Sequence, residues 1–176
     1  MRIISGKYRG KRIQPPKKFP SRPTTDMAKE SLFNILSNQV DWEDMEILDL
    51  FAGTGNISLE FISRGAKSVL SIDKHPLTVR HLNHLQKEWD VANWSILKKD
   101  VFKFLKEYDQ QYDLIFADPP FGMKETDQLP SLIFERNLLK ENGRLILEHG
   151  KENTFETHEH IYDQRRYGGV YFSFFR

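Results

Sequence analysis

Two hydrophobic periodicities alternate along most of the chain. From Glu46 onward, short continuous runs of apolar residues are each followed by a segment in which apolar residues recur at helical spacing. The strand-like runs are EILDLF, SVLSID, WSILKKD and YDLIFADPPF, and the helix-like segments are NISLEFISR, PLTVRHLNHLQKEW, VFKFLKEY and SLIFERNLLK. Because continuous apolar strands are typical of a sheet buried on both faces, the alternation predicts a mostly parallel sheet between two layers of helices.

The C-terminal part of the chain departs from this alternation. After a fifth apolar run, GRLILEHG, two extended segments flank Gly168 and Gly169. This arrangement predicts an antiparallel hairpin at the edge of the sheet. The predicted fold class is therefore α/β, a three-layer α/β/α sandwich with an antiparallel C-terminal hairpin.

The N-terminal part has its own organisation. Two short apolar stretches in RIISGKYRGKRI flank the segment SGKYRG, which indicates a small β-hairpin. A proline-rich linker follows, and a helix begins after Thr24 or Thr25, either of which can cap its first amides. The predicted apolar face of this helix consists of Ala28, Leu32, Ile35 and Leu36. We therefore divide the chain into a basic hairpin with its linker, residues 1–23, and a main domain, residues 24–176.

The charge of the chain is unevenly distributed. The 176 residues carry a net charge of +1, yet residues 1–25 contain no acid. The eight cations of this basic segment are Arg2, Lys7, Arg9, Lys11, Arg12, Lys17, Lys18 and Arg22. We interpret the segment as a phosphate-binding surface, the alternative being a solvated tail that only aids solubility.

The composition narrows the possible chemistry. The chain has no cysteine, which excludes disulfides and thiol catalysis. No apolar run has the length of a signal peptide or of a membrane span, so we expect a cytoplasmic protein. His81 with His84, and His158 with His160, could each share a metal, but neither pair has a third ligand nearby. We expect no metal site.

The segment LDLFAGTGN follows the first predicted strand. Gly53 and Gly55 allow a sharp turn and a close approach of backbone amides to a ligand at the start of the next helix. Ser58 stands where a dinucleotide-binding fingerprint requires a third glycine. Asp49, just before the turn, favours a ligand with a positive group over a pyrophosphate.

Two further acids stand at the ends of the next two predicted strands. Asp73 can accept hydrogen bonds from both hydroxyls of a ribose, and Asp100 can accept from an adenine amino group while Val101 covers the ring. The alternative for each acid is a helix cap. The ligand-binding interpretation depends on all three acids falling at consecutive strand ends.

The order LDLFAGTGN, Asp73, Asp100 and DPPF resembles class I S-adenosylmethionine-dependent methyltransferases that methylate amino groups. The N-terminal MRIISGKYRGKRI followed by SRPTTDMAKESLFNIL is similar to the bacterial ribosomal RNA guanine-N2 methyltransferase family typified by RsmD. Nearly the whole chain is covered. Because DPPF also occurs in enzymes that act on adenine or cytosine, the N-terminal block is what narrows the substrate.

The resemblance implies a Rossmann-like, mostly parallel seven-stranded sheet and S-adenosylmethionine as cofactor. The residues it assigns to the cofactor are Thr25, Asp49, Phe51, Gly53, Gly55, Asp73, Lys74, Asp100 and Val101. One departure is Met27, where the family often has a basic residue; Lys29 follows two residues later. The implied substrate is a guanine of 16S ribosomal RNA, at the position usually called 966, in an assembling small subunit, and the implied state is a monomer.

The tetrad Asp118, Pro119, Pro120 and Phe121 carries the predicted chemistry. An exocyclic amine is a poor nucleophile because its lone pair is delocalised into the base. If the Asp118 carboxylate and the Pro119 carbonyl each accept one N–H, the lone pair is localised and the developing charge is stabilised. Phe121 offers a face on which the base can stack. The alternative is a proline turn with Phe121 in the core.

Two other functions remain compatible with these motifs. The first is methylation of adenine N6 in DNA, or of another nucleobase amine, by the same tetrad. The second is a non-catalytic RNA-binding assembly factor that retains the fold. Trp42, Trp89 and Trp94 are interpreted as packing residues and not as a base-stacking platform.

Overall fold

The computed structural model describes residues 1–16, 19 and 25–176. Its centre is a seven-stranded sheet in the order β3-β2-β1-β4-β5-β7-β6. The strands are β1 (Glu46–Leu50), β2 (Ser68–Asp73), β3 (Trp94–Lys98), β4 (Tyr112–Ala117), β5 (Leu139–His149), β6 (Ile161–Tyr167) and β7 (Val170–Phe175). The first five strands are parallel, and β7 is antiparallel to both β5 and β6. The predicted α/β class and the antiparallel C-terminal hairpin are confirmed.

Helices cover both faces of the sheet. The helices are α1 (Asp26–Ser37), α2 (Asn56–Ser63), α3 (Pro76–Glu88), α4 (Val101–Glu107) and α5 (Leu129–Glu135). Apolar residues of α1, α2 and α3 share one buried cluster with Ile47 of β1, while α4 and α5 share a second cluster with Leu48. Because consecutive strand residues point to opposite faces, one apolar strand supplies both clusters. This is the predicted three-layer sandwich.

Helix α1 begins as predicted and buries more than predicted. The Thr25 Oγ1 atom accepts a hydrogen bond from the Ala28 backbone amide at 3.2 Å. Leu32 and Leu36 are fully buried, whereas Ile35 is half-buried. Lys29 was not predicted to be in the interior, yet its side chain is 0% exposed.

The first 13 residues form a short hairpin, as predicted, but with little regular sheet. Its strands meet in a single antiparallel bridge between Arg2 and Arg12. The Ile3 amide donates to the Lys11 carbonyl at 2.9 Å. Ile3 and Ile13 are buried in the cluster that contains α1 and α2. We call residues 1–13 the basic hairpin.

In the described part of the chain, no helix combines the length and apolar character needed to cross a membrane.

Candidate functional site

The strand order brings four predicted positions to one edge of the sheet. Strands β3, β2, β1 and β4 are neighbours, and at their carboxyl ends stand Asp100, Asp73, the turn at Gly53 and Asp118. Since adjacent strands lie about 4.8 Å apart, this edge spans roughly 14 Å. The connections reverse direction between β1 and β4, which is where open α/β sheets form a ligand-binding crevice.

The turn after β1 packs closely against its surroundings. The Ala52 amide donates to the Ile72 carbonyl at 3.0 Å, which fixes the turn to the end of β2. Gly55 precedes α2 with φ of 76°, and a Cβ there would lie 2.6 Å from a methyl group of Leu82. Phe51 also has a positive φ, 62°, which is uncommon for a non-glycine residue. The sequence therefore forms the tight turn that was predicted.

Asp73 holds this turn from the neighbouring strand. Its two carboxylate oxygens accept hydrogen bonds from the Gly53 amide at 3.1 Å and the His75 amide at 2.8 Å. Burial raises the pKa of Asp73, and these two hydrogen bonds oppose the rise. The residue that caps α3 is His75, so the alternative helix-cap role for Asp73 is wrong.

Asp100 is a helix cap, which was the alternative interpretation of this residue. Its Oδ1 atom accepts from the Phe102 amide at 3.1 Å and from the Lys103 amide at 3.3 Å. The other oxygen, Oδ2, lies 3.9 Å from the Lys74 ammonium. Capping by one oxygen is compatible with ligand binding by the other. Val101 is only 3% exposed and packs in the core, so it offers a ligand little surface.

Asp49 lies deeper than the other acids. It is 1% exposed, and one of its oxygens accepts a hydrogen bond from the Ser58 hydroxyl. The Ser58 Oγ is in turn 2.7 Å from the Ser71 Oγ, to which the Trp94 indole donates at 2.8 Å. Burial raises the pKa of Asp49 to about 7; the Ser58 hydrogen bond lowers it and the nearby Asp73 raises it further. Asp49 thus connects β1 to α2 and β2 through a buried polar chain.

The tetrad after β4 turns outward from the sheet. The Asp118 amide donates to the Leu50 carbonyl at 3.4 Å, which joins the ends of β4 and β1. Asp118 is half-buried, Pro119 is buried and Pro120 is exposed. Phe121 is 86% exposed, so the alternative that places its ring in the core is wrong. We call residues 118–121 the corner after β4: it has a strand-end carboxylate and, three residues later, an exposed aromatic ring that a planar ligand can reach.

The basic hairpin presents its charges on a fixed frame. Arg2, Lys7, Arg9, Lys11 and Arg12 are all exposed, whereas Lys17, Lys18 and Arg22 lie outside the described residues. The amide of Lys7 donates to the Ser63 carbonyl at 2.7 Å, and Tyr8 is buried against Trp89. Gly6, with φ of 80°, lies so close to α2 that a Cβ would be 1.7 Å from the Ser63 carbonyl oxygen.

Sequence analysis missed a buried ion pair beneath this hairpin. The Lys29 Nζ lies 3.1 Å from Glu60 Oε2, and both side chains are 0% exposed. Lys29 also donates to the Asn56 side-chain oxygen at 2.8 Å. Burial lowers the pKa of Lys29, and Glu60 opposes this shift. The available signal was position: Lys29 shares the apolar face of α1 with Leu32, three residues later.

Other parts of the molecule do not compete with this edge as a site. No group of three or more residues with metal-binding side chains occurs within the described ranges. The three tryptophans pack in or against the core, as predicted. A cavity of about 330 Å³ lies near Asn137 and Arg176, at the amino end of β5 and so at the opposite edge of the sheet. No Asp or Glu side chain is among the described residues that line it.

The strand order, with its reversal between β1 and β4, is that of a class I S-adenosylmethionine-dependent methyltransferase. The chain belongs to the family described as "Conserved hypothetical protein 95", whose model matches residues 1–176.

Relatives and solved structures agree with this assignment. The chain is 36% identical to "Ribosomal RNA small subunit methyltransferase D" of Haemophilus influenzae in an alignment of 168 positions that covers 90% of this chain and 83% of that protein. It is 33% identical to the protein of the same name from Buchnera aphidicola over 154 residues, 88% and 77% of the two chains. The solved "Putative methyltransferase yhhF" of Escherichia coli superposes with a TM-score of 0.87 at 25% identity, covering 99% of this chain and 96% of that one.

Proposed function

We propose that the protein transfers a methyl group from S-adenosylmethionine to the exocyclic N2 amine of a guanine in small-subunit ribosomal RNA, at the position usually called 966. The observation that carries the proposal is the corner formed by Asp118 and the exposed ring of Phe121, beside the glycine turn. The names of the relatives support ribosomal RNA as the substrate class. The family resemblance of the N-terminal block supports guanine N2.

The chemistry of the edge fits the cofactor. Asp100, Asp73 and the turn at Gly53 follow one another along neighbouring strands, in the order of an adenine, a ribose and an amino-acid chain. Carboxylates can accept from the adenine amine and the ribose hydroxyls, and their charge favours a cationic ligand over a pyrophosphate. When bound, the cofactor supplies a methyl group on a positively charged sulfur.

Asp118 and Pro119 prepare the amine for attack. The Asp118 carboxylate and the Pro119 carbonyl each accept one N–H of the target amine, so its lone pair is localised on nitrogen. Both acceptors stabilise the positive charge that develops on nitrogen as the nitrogen–carbon bond forms and the carbon–sulfur bond breaks, which is preorganised electrostatic catalysis. The methylated nitrogen then releases one proton to the Asp118 carboxylate or to solvent. Pro119 and Pro120 restrict the backbone and keep the carbonyl oriented.

Phe121 receives the base after it leaves the helical stack. Stacking on an aromatic side chain contributes roughly 1–3 kcal/mol per base. Extruding a base costs a few kcal/mol, so the ring offsets part of that cost. Its 86% exposure leaves the surface that such stacking requires.

The basic hairpin and the linker after it supply affinity for the RNA backbone. Phosphate contacts position a nucleic acid without reading its sequence, so base selection falls to the corner at Asp118 and Phe121. If about five cations contact phosphates, the logarithm of the affinity falls with the logarithm of salt concentration at a slope near −4. We propose a monomer that acts on an assembling small subunit in the cytoplasm.

Mass spectrometry of ribosomal RNA nucleosides, from cells with and without the protein, tests the proposal. We expect loss of N2-methylguanosine from 16S RNA in its absence. Purified protein is then assayed with labelled cofactor on RNA and on DNA side by side. Transfer to adenine in DNA, with unchanged ribosomal RNA nucleosides, would contradict the proposal.

A further inference from the structure

The basic hairpin runs along helix α2 in the same direction as the helix. The Met1 sulfur contacts the Thr54 hydroxyl at 3.4 Å, just before α2 begins, and the Lys7 amide reaches Ser63 at its end. The eight residues of α2 span roughly 12 Å. The open end of the hairpin therefore lies beside the glycine turn of the candidate site, and its tip lies about one helix length away.

The open end carries two opposed arginines. Arg2 and Arg12 form the antiparallel bridge of the hairpin. Their neighbours Ile3 and Ile13 are 1% and 2% exposed and face the core, while both arginines are exposed on the other side. Directly opposed residues have Cβ atoms about 4.5–5.5 Å apart. Two positive side chains thus project from neighbouring points on one surface.

This arginine pair has no acidic partner in the described part of the chain. No ion pair among residues 1–16, 19 and 25–176 involves Arg2 or Arg12. Like charges directly opposite each other in an antiparallel pair destabilise it. An anion between the two guanidinium groups would replace this repulsion by attraction. The planar guanidinium matches the geometry of phosphate oxygens especially well.

The buried ion pair of Lys29 and Glu60 holds the open end of the hairpin against α1 and α2. Lys29 Nζ donates to the Arg2 backbone carbonyl at 2.6 Å. Glu60 accepts from the Ile4 amide at 2.8 Å and from the Ser5 amide at 3.1 Å. Apolar residues in place of the two charges would leave these backbone groups without partners. The ion pair therefore holds the backbone of Arg2 at a fixed distance from α2.

The two lysines of the basic hairpin have a different environment. The Lys11 Nζ lies 4.7 Å from the ring centroid of Trp89 and 5.1 Å from that of Tyr8, and the Lys7 Nζ lies 5.2 Å from Tyr8. These ammonium groups already have favourable contacts with aromatic faces. The two arginines lie at the open end of the hairpin, beside the site. An anion would stabilise them more than it would stabilise the two lysines, whose charges already contact aromatic rings.

We propose that Arg2 and Arg12 together bind a single backbone phosphate of the substrate RNA. We call this pair the arginine clamp. Because it is anchored beside the glycine turn, the clamp sets the register of the RNA relative to Asp118 and Phe121. The inference rests on the proposed function, since it takes RNA as the partner, and it assigns a distinct role to two cations of the hairpin.

Salt titrations of RNA binding test the clamp. We compare wild type with R2Q, R12Q and R2Q/R12Q, using 16S ribosomal RNA transcribed in vitro. The control is K106Q, which removes an exposed cation of α4, on the face of the sheet opposite to the basic hairpin. Each phosphate contact contributes about one unit to the slope of log affinity against log salt. A shared phosphate predicts a loss of about one unit in the double variant. A loss of about two units, or no loss, would overturn the proposal.

Turnover separates positioning from affinity. At saturating RNA, we expect kcat to fall about tenfold or more in R2Q/R12Q, because misplacement of the reacting atoms is costly. K106Q should keep kcat within about twofold, because α4 packs on the face of the sheet opposite to the basic hairpin. Equal kcat losses in the two variants would contradict a register role.

Thermal unfolding without RNA excludes a merely structural explanation. R12Q removes a like-charge contact, so its Tm should be equal to or higher than that of wild type. A lower Tm, with RNA affinity reduced in proportion to the unfolded fraction, would contradict the clamp. The clamp and the proposed function can fail separately. If R2Q/R12Q loses about one unit of salt slope relative to wild type, but wild type methylates no RNA, the proposed function fails while the clamp stands.

Discussion

Two charged regions of the molecule differ in what their charges do. At the buried ion pair, Lys29 and Glu60 are removed from solvent and bind the backbone of the basic hairpin. At the corner after β4, Asp118 is half-buried beside the exposed Phe121. The buried charges here determine where a surface lies, whereas the partly exposed carboxylate lies at the strand end where the candidate site is.

The largest expected effect is the loss of one partner of the buried pair. Lys29→Met should lower the free energy of unfolding by about 3 kcal/mol, because the Arg2 carbonyl and the Asn56 side-chain oxygen lose a buried donor. Among the described residues, Glu60 then keeps only Arg64, at 2.9 Å, as a cationic partner. Denaturant titration measures this change. Lys29→Arg is the matched control, since it keeps the positive charge.

A double variant tests whether the ion pair is needed to hold the basic hairpin. Replacing an ordinary buried ion pair by apolar residues is often neutral. Here Lys29→Met/Glu60→Leu should remain destabilised, because the Ile4 and Ser5 amides lose their acceptor at a cost of about 1–3 kcal/mol each. A double variant as stable as wild type would show that the pair is not needed to hold the hairpin.

Removal of the Asp118 carboxylate should act on turnover and not on stability. We expect Asp118→Ala to lower kcat by about 10²–10³-fold or more, since one preorganised acceptor of the developing charge is lost. Cofactor affinity and Tm should stay near wild type. Asp109→Ala, which removes an exposed acid paired with Arg136, is the matched control. Equal turnover in the Asp118 variant would refute the mechanism.

Loss of the Phe121 ring should have a smaller effect on RNA. Phe121→Ala should weaken productive RNA binding by about 1–3 kcal/mol, measured as kcat/KM for RNA, because the flipped base loses its stacking partner. Phe121→Tyr keeps the ring and should retain activity. If both variants lose activity equally, stacking is not the role of this residue.

The smallest effect is expected at the start of α1. Thr25→Ala should lower stability by about 1 kcal/mol, because the Ala28 amide loses its cap. Thr25→Ser retains the hydroxyl and should restore stability. A loss of cofactor affinity in Thr25→Ala at unchanged Tm would instead favour the cofactor contact that the family resemblance implies.

The fold and the edge that carries the site could be read from the sequence for a simple physical reason. A strand that is buried on both faces appears in the sequence as a continuous apolar run. The run ends where the chain reaches solvent, so the acids Asp73 and Asp118 marked the ends of their strands. The exposure of Phe121 followed from the same logic, because an aromatic ring after two prolines cannot continue a buried strand.

The buried polar contacts could not be read in this way. Ser58 appeared only as a missing glycine, although its hydroxyl binds Asp49 nine residues earlier. The pairing of Lys29 with Glu60 joins two helices 31 positions apart in sequence. Sequence periodicity reports which face of an element is apolar, but it contains no information on which polar side chains meet across the core.

Gly6 limits which residues the loop of the basic hairpin can accept. With the Ser63 carbonyl oxygen 1.7 Å from where a side chain would begin, only a hydrogen atom fits between the loop and the helix. Even one methyl group at this position would push the loop away from α2. The position of the basic hairpin thus depends on the smallest residue in a segment that contains no acidic side chain.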